Sequence, residues 1–199
     1  MNGKDLKRMG QRMKAGLMML AAALATATFG KGIDRNLFME FLKVPSESGN
    51  IPEINRSIDV LKAWLEARGV YCSVVTNELG RGWLYAATVP EKATDYLFVG
   101  HVDVVPAPKS MFAPRVEGDR VFARGACDTK GNDIVMCQVL ANLVGKASVG
   151  MFLASEEEGG SNPGTQSPKM AIARGHVPRK LVLVGDSAGE EPGQLFTAE

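Results

Sequence analysis

From Ile33 onward, apolar and polar positions alternate between two rhythms. Between roughly Glu53 and Arg68, Ile54, Ile58, Leu61 and Leu65 recur at three- and four-residue steps. That spacing puts them on one face of a helix ending before Gly69. A shorter helix, roughly Arg35 to Lys43, stops before Pro45 and the loop SESGN. The runs VYCSVVT, GWLYAATV and DYLFVGHV follow, rich in β-branched and aromatic residues and bounded by turn formers, and they predict strands. After a Pro-rich loop come VFARG, a helix from about Gly131 to Val144, the strand VGMFLA, a helix near Pro168 to Arg174, and the strand KLVLVG. Strands alternating with helices predict an α/β fold of three layers, α/β/α, around a mixed, mostly parallel sheet.

The first thirty residues follow a different pattern. Lys4, Lys7, Arg8, Arg12 and Lys14 precede the uncharged stretch AGLMMLAAALATATFG, where Ala25-Thr26-Ala27 fits the small-x-small rule of a signal cleavage site. The same residues place Leu6, Met9, Met13, Leu17, Leu20 and Leu24 at helical steps, as in an amphipathic helix. Export to the periplasm and residence in the cytoplasm both stay open, and the apolar run is too short for a permanent membrane span. Residues 1–30 are therefore set apart as a leader, and 31–199 as one domain.

Composition narrows the chemistry. A chain of 199 residues can bury a core without staples, and its hydrophobic fraction of 45% and charged fraction of 23% are those of a globular protein. With a formal net charge of +1, it carries no global field to attract nucleic acid or an anionic membrane, so a small-molecule substrate is the default. Cys72, Cys127 and Cys137 form no C-x-x-C pair, so a bound metal would need histidines and carboxylates.

Such residues collect where apolar runs end, at LFVGHVDVVP, RGACDTKG, FLASEEEGG and LVLVGDSAG. Sheets of this class take ligands beyond the carboxyl ends of their strands, and four strands are expected to deliver these segments to one end. In an extended GHVDVV, Asp103 lies on the same side as His101 and can take the ring N–H of a metal-bound imidazole; a plain hydrogen-bonded pair fits equally. Asp128, between glycines and before a helix, reads either as an N-cap or as a carboxylate bridging two ions. The EF-hand pattern fails at Lys130, and no phosphate-cradling loop is present. Glu156, Glu157 and Glu158 crowd the end of a buried strand, where mutual repulsion calls for cations or shared protons. They could supply one metal ligand and one proton carrier. Asp186 reads as a turn residue or a ligand, and His176, in the loop ARGHVPRK, is expected on the surface.

With GHVDVVP, RGACDTKG, SEEEGG and VGD in this order and spacing, the sequence resembles the dinuclear zinc family of aminoacylase, acetylornithine deacetylase, succinyl-diaminopimelate desuccinylase and carboxypeptidase G, over about Arg35 to Glu199. The resemblance implies a zinc-exopeptidase-like catalytic domain with two zinc ions, cobalt or manganese being possible substitutes. It implies His101, Asp128, Glu158 and Asp186 as metal ligands, Asp128 bridging, with Asp103 orienting His101 and Glu157 as general base. The implied reaction is hydrolysis of an amide bond in a small N-acyl amino acid or dipeptide-like substrate. Asp186 stands where many relatives have Glu, and the loop PAPKSMFAPRVEG lacks the Trp common there, so the substrate class is left open. The chain is read as the N-terminal portion of the catalytic domain, without the dimerisation domain through which the full-length enzyme forms a homodimer. The second zinc-binding histidine is missing too, so the isolated chain is expected to be inactive.

Two other readings compete. GDSAG, Gly185 to Gly189, matches the G-x-S-x-G elbow of a serine esterase, but Pro192 and Gly193 follow where a helix should start, and no histidine lies downstream. The other is a metal-binding fragment without catalysis.

Overall fold

The computed structural model describes residues 32–159 and 166–186; the leader, with its export-signal and helix readings, and Ser187 of the GDSAG segment lie outside the described residues. In chain order the elements are α1 (Arg35–Leu42), α2 (Ile51–Glu66), β1 (Tyr71–Thr76), β2 (Gly82–Ala87), β3 (Thr94–His101), a 3-10 turn (Lys109–Phe112), β4 (Arg115–Glu117), β5 (Arg120–Phe122), α3 (Lys130–Leu143), β6 (Val149–Ala154), α4 (Gln166–Ala173) and β7 (Pro178–Val184).

Local chemistry sets the helix starts. Asp34 caps α1, its carboxylate accepting the Leu37 N–H at 3.0 Å. The other oxygen accepts the Trp64 indole N–H at 3.0 Å, which ties the start of α1 to α2. Arg68 lies over the Trp64 ring, 3.6 Å from its centroid. Helix α2 carries Pro52 in its first turn, where no intrahelical donor is lost. It buries Ile54, Ile58, Leu61 and Leu65, the four residues that the spacing placed on one face.

Five strands form the main sheet in the order β1-β2-β6-β3-β7. β6 pairs with β3, and β3 with β7, in parallel; β2 runs antiparallel to both β6 and β1. Only β2 is therefore reversed, and the sheet is mixed with most strands running one way. On one face Leu84, Ala86, Phe98, Val149, Met151 and Leu153 pack against α1, α2 and α3. On the other, Trp83, Tyr85, Leu97 and Phe152 pack with Ala171 of α4. These alternating positions give three layers, as the period-two pattern requires. Both β2 and β6 are buried along their whole length, which explains why VGMFLA is an unbroken apolar run.

Two expectations are corrected. VFARG was read as leading a strand into the site, but only Arg120–Phe122 is extended, and it pairs with Arg115–Glu117 in a separate hairpin. Each of those short strands turns mostly polar or exposed residues outward and cannot form part of a buried sheet. His176 is not on the surface. It is 4% exposed, with its ring centroid 3.6 Å from that of Tyr85. Gly175, at φ +88°, turns the chain after α4 and folds the next residue beneath the sheet.

Two outcomes follow for stability. The Leu37 amide, ahead of the other partners, holds the Asp34 carboxyl below its ordinary 3.8. Its stabilisation is therefore present above that pH and lost as pH falls through the lower folded value. Asp34→Ala should cost about 1 kcal/mol in urea unfolding at neutral pH and flatten this acid dependence. Burial, reinforced by the charge of Lys92, pulls His176 below 6.5. Its contribution is thus full above about pH 6.5 and lost on acidification through the depressed folded value. Urea midpoints compared at pH 7.5 and pH 5 should fall less on acidification in His176→Phe than in the wild type.

Candidate metal centre

Because β6, β3 and β7 are adjacent and parallel, their carboxyl ends emerge side by side. His101 is the last residue of β3, Glu157 and Glu158 follow the end of β6, and Asp186 follows the end of β7. The Gly185 N–H donates to Val99 O at 2.8 Å, holding the exit of β7 beside β3. Asp128 arrives differently. It precedes the first turn of α3 after the β4–β5 hairpin, so three strands and one helix start supply the cluster rather than four strands. Thr129 secures that helix start, its hydroxyl donating to Gly185 O at 2.5 Å. The Asp128–Thr129 peptide is cis.

His101 forms the floor, its side chain 2% exposed, while Asp128 at 63%, Glu157 at 44% and Asp186 at 42% form open walls. Its Nε2 is 3.2 Å from Asp128 Oδ1, 3.3 Å from Asp186 Oδ1 and 3.9 Å from Glu157 Oε2. Two donor sets share this nitrogen. One is His101, Asp128 and Asp186, the other His101, Glu157 and Glu158, and the ligand atoms within each lie within 4.8 Å of one another. All five candidate ligand and base residues are thus brought together, with Glu158 beside Glu157 rather than in the triple that holds Asp128 and Asp186.

Asp103 is placed otherwise than the extended-strand argument suggests. His101 Nδ1 meets the main-chain carbonyl of Asp103 at 2.9 Å, whereas the Asp103 carboxylate is 3.6 Å away. That carboxylate, fully buried, accepts the N–H groups of Glu157 and Glu158, each at 3.0 Å, and the Ser48 hydroxyl. Asp103 therefore fixes the ring through its backbone and the glutamate turn through its side chain.

The electrostatics follow from crowding. Burial pulls the His101 pKa down, but the carboxylates of Asp103 and Asp133 outweigh it and hold the imidazole protonated, up to about 10. Burial also drives Asp103 up, yet its donors keep it below the ordinary carboxylate value. Glu158 is raised, first by burial and then by the charge of Asp128. A cluster in which one imidazolium faces several carboxylates has the charge balance that a divalent cation would satisfy.

Sequence reasoning passed over Ser48, Thr129, Lys130 and Asp133. Lys130 and Asp133 are fully buried near the start of α3, a helix whose buried residues surround it on nearly every side. The apolar run IVMCQVL carried that signal, since a helix apolar all round is an interior helix and its first turn goes in with it. A side chain at Gly100 would run into Asp133 and Met136, so the bare backbone there lets α3 approach β3.

Comparison with known proteins gives the same direction. The model of the peptidase family M20/M25/M40 matches residues 97–196, which contain every candidate ligand. A succinyl-diaminopimelate desuccinylase of Erythrobacter litoralis is 30% identical over 102 residues, 49% of this chain and 27% of that protein. A peptidase M20 domain-containing protein of Schizosaccharomyces pombe is 31% identical over 147 residues, covering 68% of this chain and 34% of its own length. Among solved structures, an M20 family metallo-carboxypeptidase from Sulfolobus solfataricus superposes with a TM-score of 0.62 at 28% identity, covering 78% of this chain and 37% of that one. The chain thus spans roughly a quarter to two fifths of the length of the relatives it matches. A family match extending over half of the sequence, together with the three-layer fold that carries its acidic segments to one end, shows that the chain belongs to peptidase family M20/M25/M40.

Proposed function

We propose that His101, Asp128, Glu158 and Asp186 hold the metal of a hydrolase that cleaves an amide bond in a small N-acyl amino acid or dipeptide-like substrate. The observation that supports this most is the buried His101 Nε2, with oxygens of Asp128 and Asp186 at 3.2 and 3.3 Å and with Glu157 and Glu158 grouped about the same imidazole. One imidazole nitrogen with surrounding carboxylate oxygens is a donor set suited to zinc, and cobalt or manganese would also be accepted. When bound, the metal supplies Lewis acidity toward a carbonyl and makes water a better nucleophile near neutral pH.

The protein's own residues carry the rest. The Asp103 carbonyl accepts a hydrogen bond from the Nδ1–H of His101, which leaves Nε2 directed at the carboxylates. Glu157, exposed enough to meet substrate and tethered by its own N–H, takes a proton from the attacking water and hands it to the departing amine. Glu158, one residue along, serves as ligand. Asp128, given the bridging role by the family resemblance, lies near enough to Glu158 for its charge to raise that carboxyl.

The net charge of +1 gives no ground to propose a nucleic-acid partner, and the homodimer is carried over from the family resemblance. Among the described residues no helix is long and apolar enough to cross a membrane. The serine-esterase reading would leave this acidic cluster without a task. The described residues give the second metal position no imidazole of its own, because His176 lies against Tyr85. Glu158 and Asp128 alone would hold that ion weakly.

Zinc titration by calorimetry should therefore show one tight ion per chain and a much weaker second one. Zinc must displace the His101 proton, so uptake at pH 8 should release about one proton, read from buffers of different ionisation enthalpy. Two tight ions per chain would overturn the ligand assignment. In the metal-free protein, a His101 pKa raised from 6.5 to about 10 means stability that is full below pH 6.5 and lost as pH rises toward 10. Saturating zinc should remove that alkaline loss.

Glu157→Ala should keep the metal and lower turnover of N-acyl amino acids by roughly a hundred- to ten-thousand-fold in the full-length enzyme. Glu158→Ala should lose metal instead. The reverse pattern would show that the register within the glutamate run is shifted by one.

A further inference from the structure

The loop between α1 and α2 is built into the back of the site. Lys130 donates to Phe41 O at 3.1 Å and Val44 O at 2.8 Å, holding the point where the chain leaves α1. The Ser46 hydroxyl donates to Val102 O at 2.6 Å. Ser46 O then accepts the Val104 N–H at 3.0 Å, and the Ser48 N–H donates to Val104 O at 2.9 Å, so Glu47 and Val104 form a short parallel bridge. The Glu47 carboxylate closes the segment from the far side by accepting the Ala107 N–H at 3.0 Å. Residues 44 to 48 are thus as firmly placed as a strand, although no long run of sequence marks them as one.

Ser48 stands at the end of this segment with its hydroxyl on Asp103 Oδ2. The same oxygen takes the Glu158 N–H, and Oδ1 takes the Glu157 N–H. Holding two consecutive amides on two oxygens of one carboxylate demands one orientation of its plane. A third donor on Oδ2 selects that orientation over one turned toward the ring of His101, 3.6 Å from Oδ1. Glu157 and Glu158 are neighbours in sequence, so a small rotation of their backbone changes which carboxylate meets His101.

We propose that Ser48 is a positioning residue for the metal centre, acting through Asp103 to fix which of the two glutamates faces the ion. The proposal rests on the metallohydrolase reading only for its consequence in metal binding; its geometric part stands on the hydrogen bonds.

The test uses Ser48→Ala and Ser48→Thr in this chain, with two measurements. Without metal, hydrogen exchange by NMR follows the Glu157 and Glu158 amides, with α3 amides as the measure of intact fold. With zinc as the probe, calorimetry follows the weaker second ion, the one assigned to Glu158, with the tight ion as the internal reference. Ser48→Ala should expose both glutamate amides to faster exchange and weaken the second zinc by roughly ten- to a hundred-fold while changing the tight one little. Ser48→Thr, which keeps the hydroxyl, should stay close to wild type in both, and α3 should exchange alike in all three proteins. The proposal is overturned if Ser48→Ala protects the two amides as the wild type does, or if Ser48→Thr fails as fully as Ser48→Ala. A wild-type chain that takes up no zinc would sink the metallohydrolase reading, while the amide comparison would still decide the role of Ser48.

Discussion

A carboxylate withdrawn from water needs donors in exchange, and Asp103 is where this protein meets that demand. Fully buried, it is surrounded by two main-chain N–H groups and a hydroxyl, and its own carbonyl holds the ring of His101. Remove that satisfaction and the glutamate turn, the imidazole and the loop after α1 lose their common reference point. The carboxylates of Asp128, Glu157 and Asp186 lie open to water, whereas that of Asp103 is closed off and takes bonded donors in its place. This division between a bonded Asp103 and an open rim gathers several acidic residues at one end of a sheet.

Topology supplies the rest of the arrangement. Three neighbouring parallel strands end together, and each carries a histidine or an acidic residue at its end or within three residues after it. The reversed strand β2 contributes none of the candidate ligands; it fills the sheet between β1 and β6 and presents Trp83 and Tyr85 to the layer that contains α4. Catalytic candidates thus gather at one end of the three adjacent strands β6, β3 and β7.

Much of this was legible in the sequence, for reasons that particular residues make clear. The apolar face of α2 and the unbroken run of β6 follow from periodicity, because burial on one face or on two leaves different patterns. His101, Glu158 and Asp186 stood out as candidates because an apolar run ends at or just before each, whereas Asp128 stands before a helix. VFARG misled because five residues cannot distinguish a sheet strand from half of a small hairpin, and the neighbouring RVE carries too weak a pattern to warn of one. His176 misled because a polar residue after glycine usually faces water, and only the turn at Gly175 and the Tyr85 ring bring it inside. Ser48 could not be found at all, since its partner lies 55 residues away and no local pattern records such a contact.

The central position of β6 has a consequence for motion. A strand paired on both sides and buried on both faces opens only with the domain as a whole, whereas a strand with one partner can fray on its own. Among the described residues β7 pairs only with β3 and leaves Val182 and Val184 exposed, at 43% and 67%. The two walls of the cleft are therefore unequal: the glutamate wall is anchored to the least yielding strand, and the Asp186 wall to one that can breathe. Among the described residues, partial opening of the cleft should therefore begin on the Asp186 side.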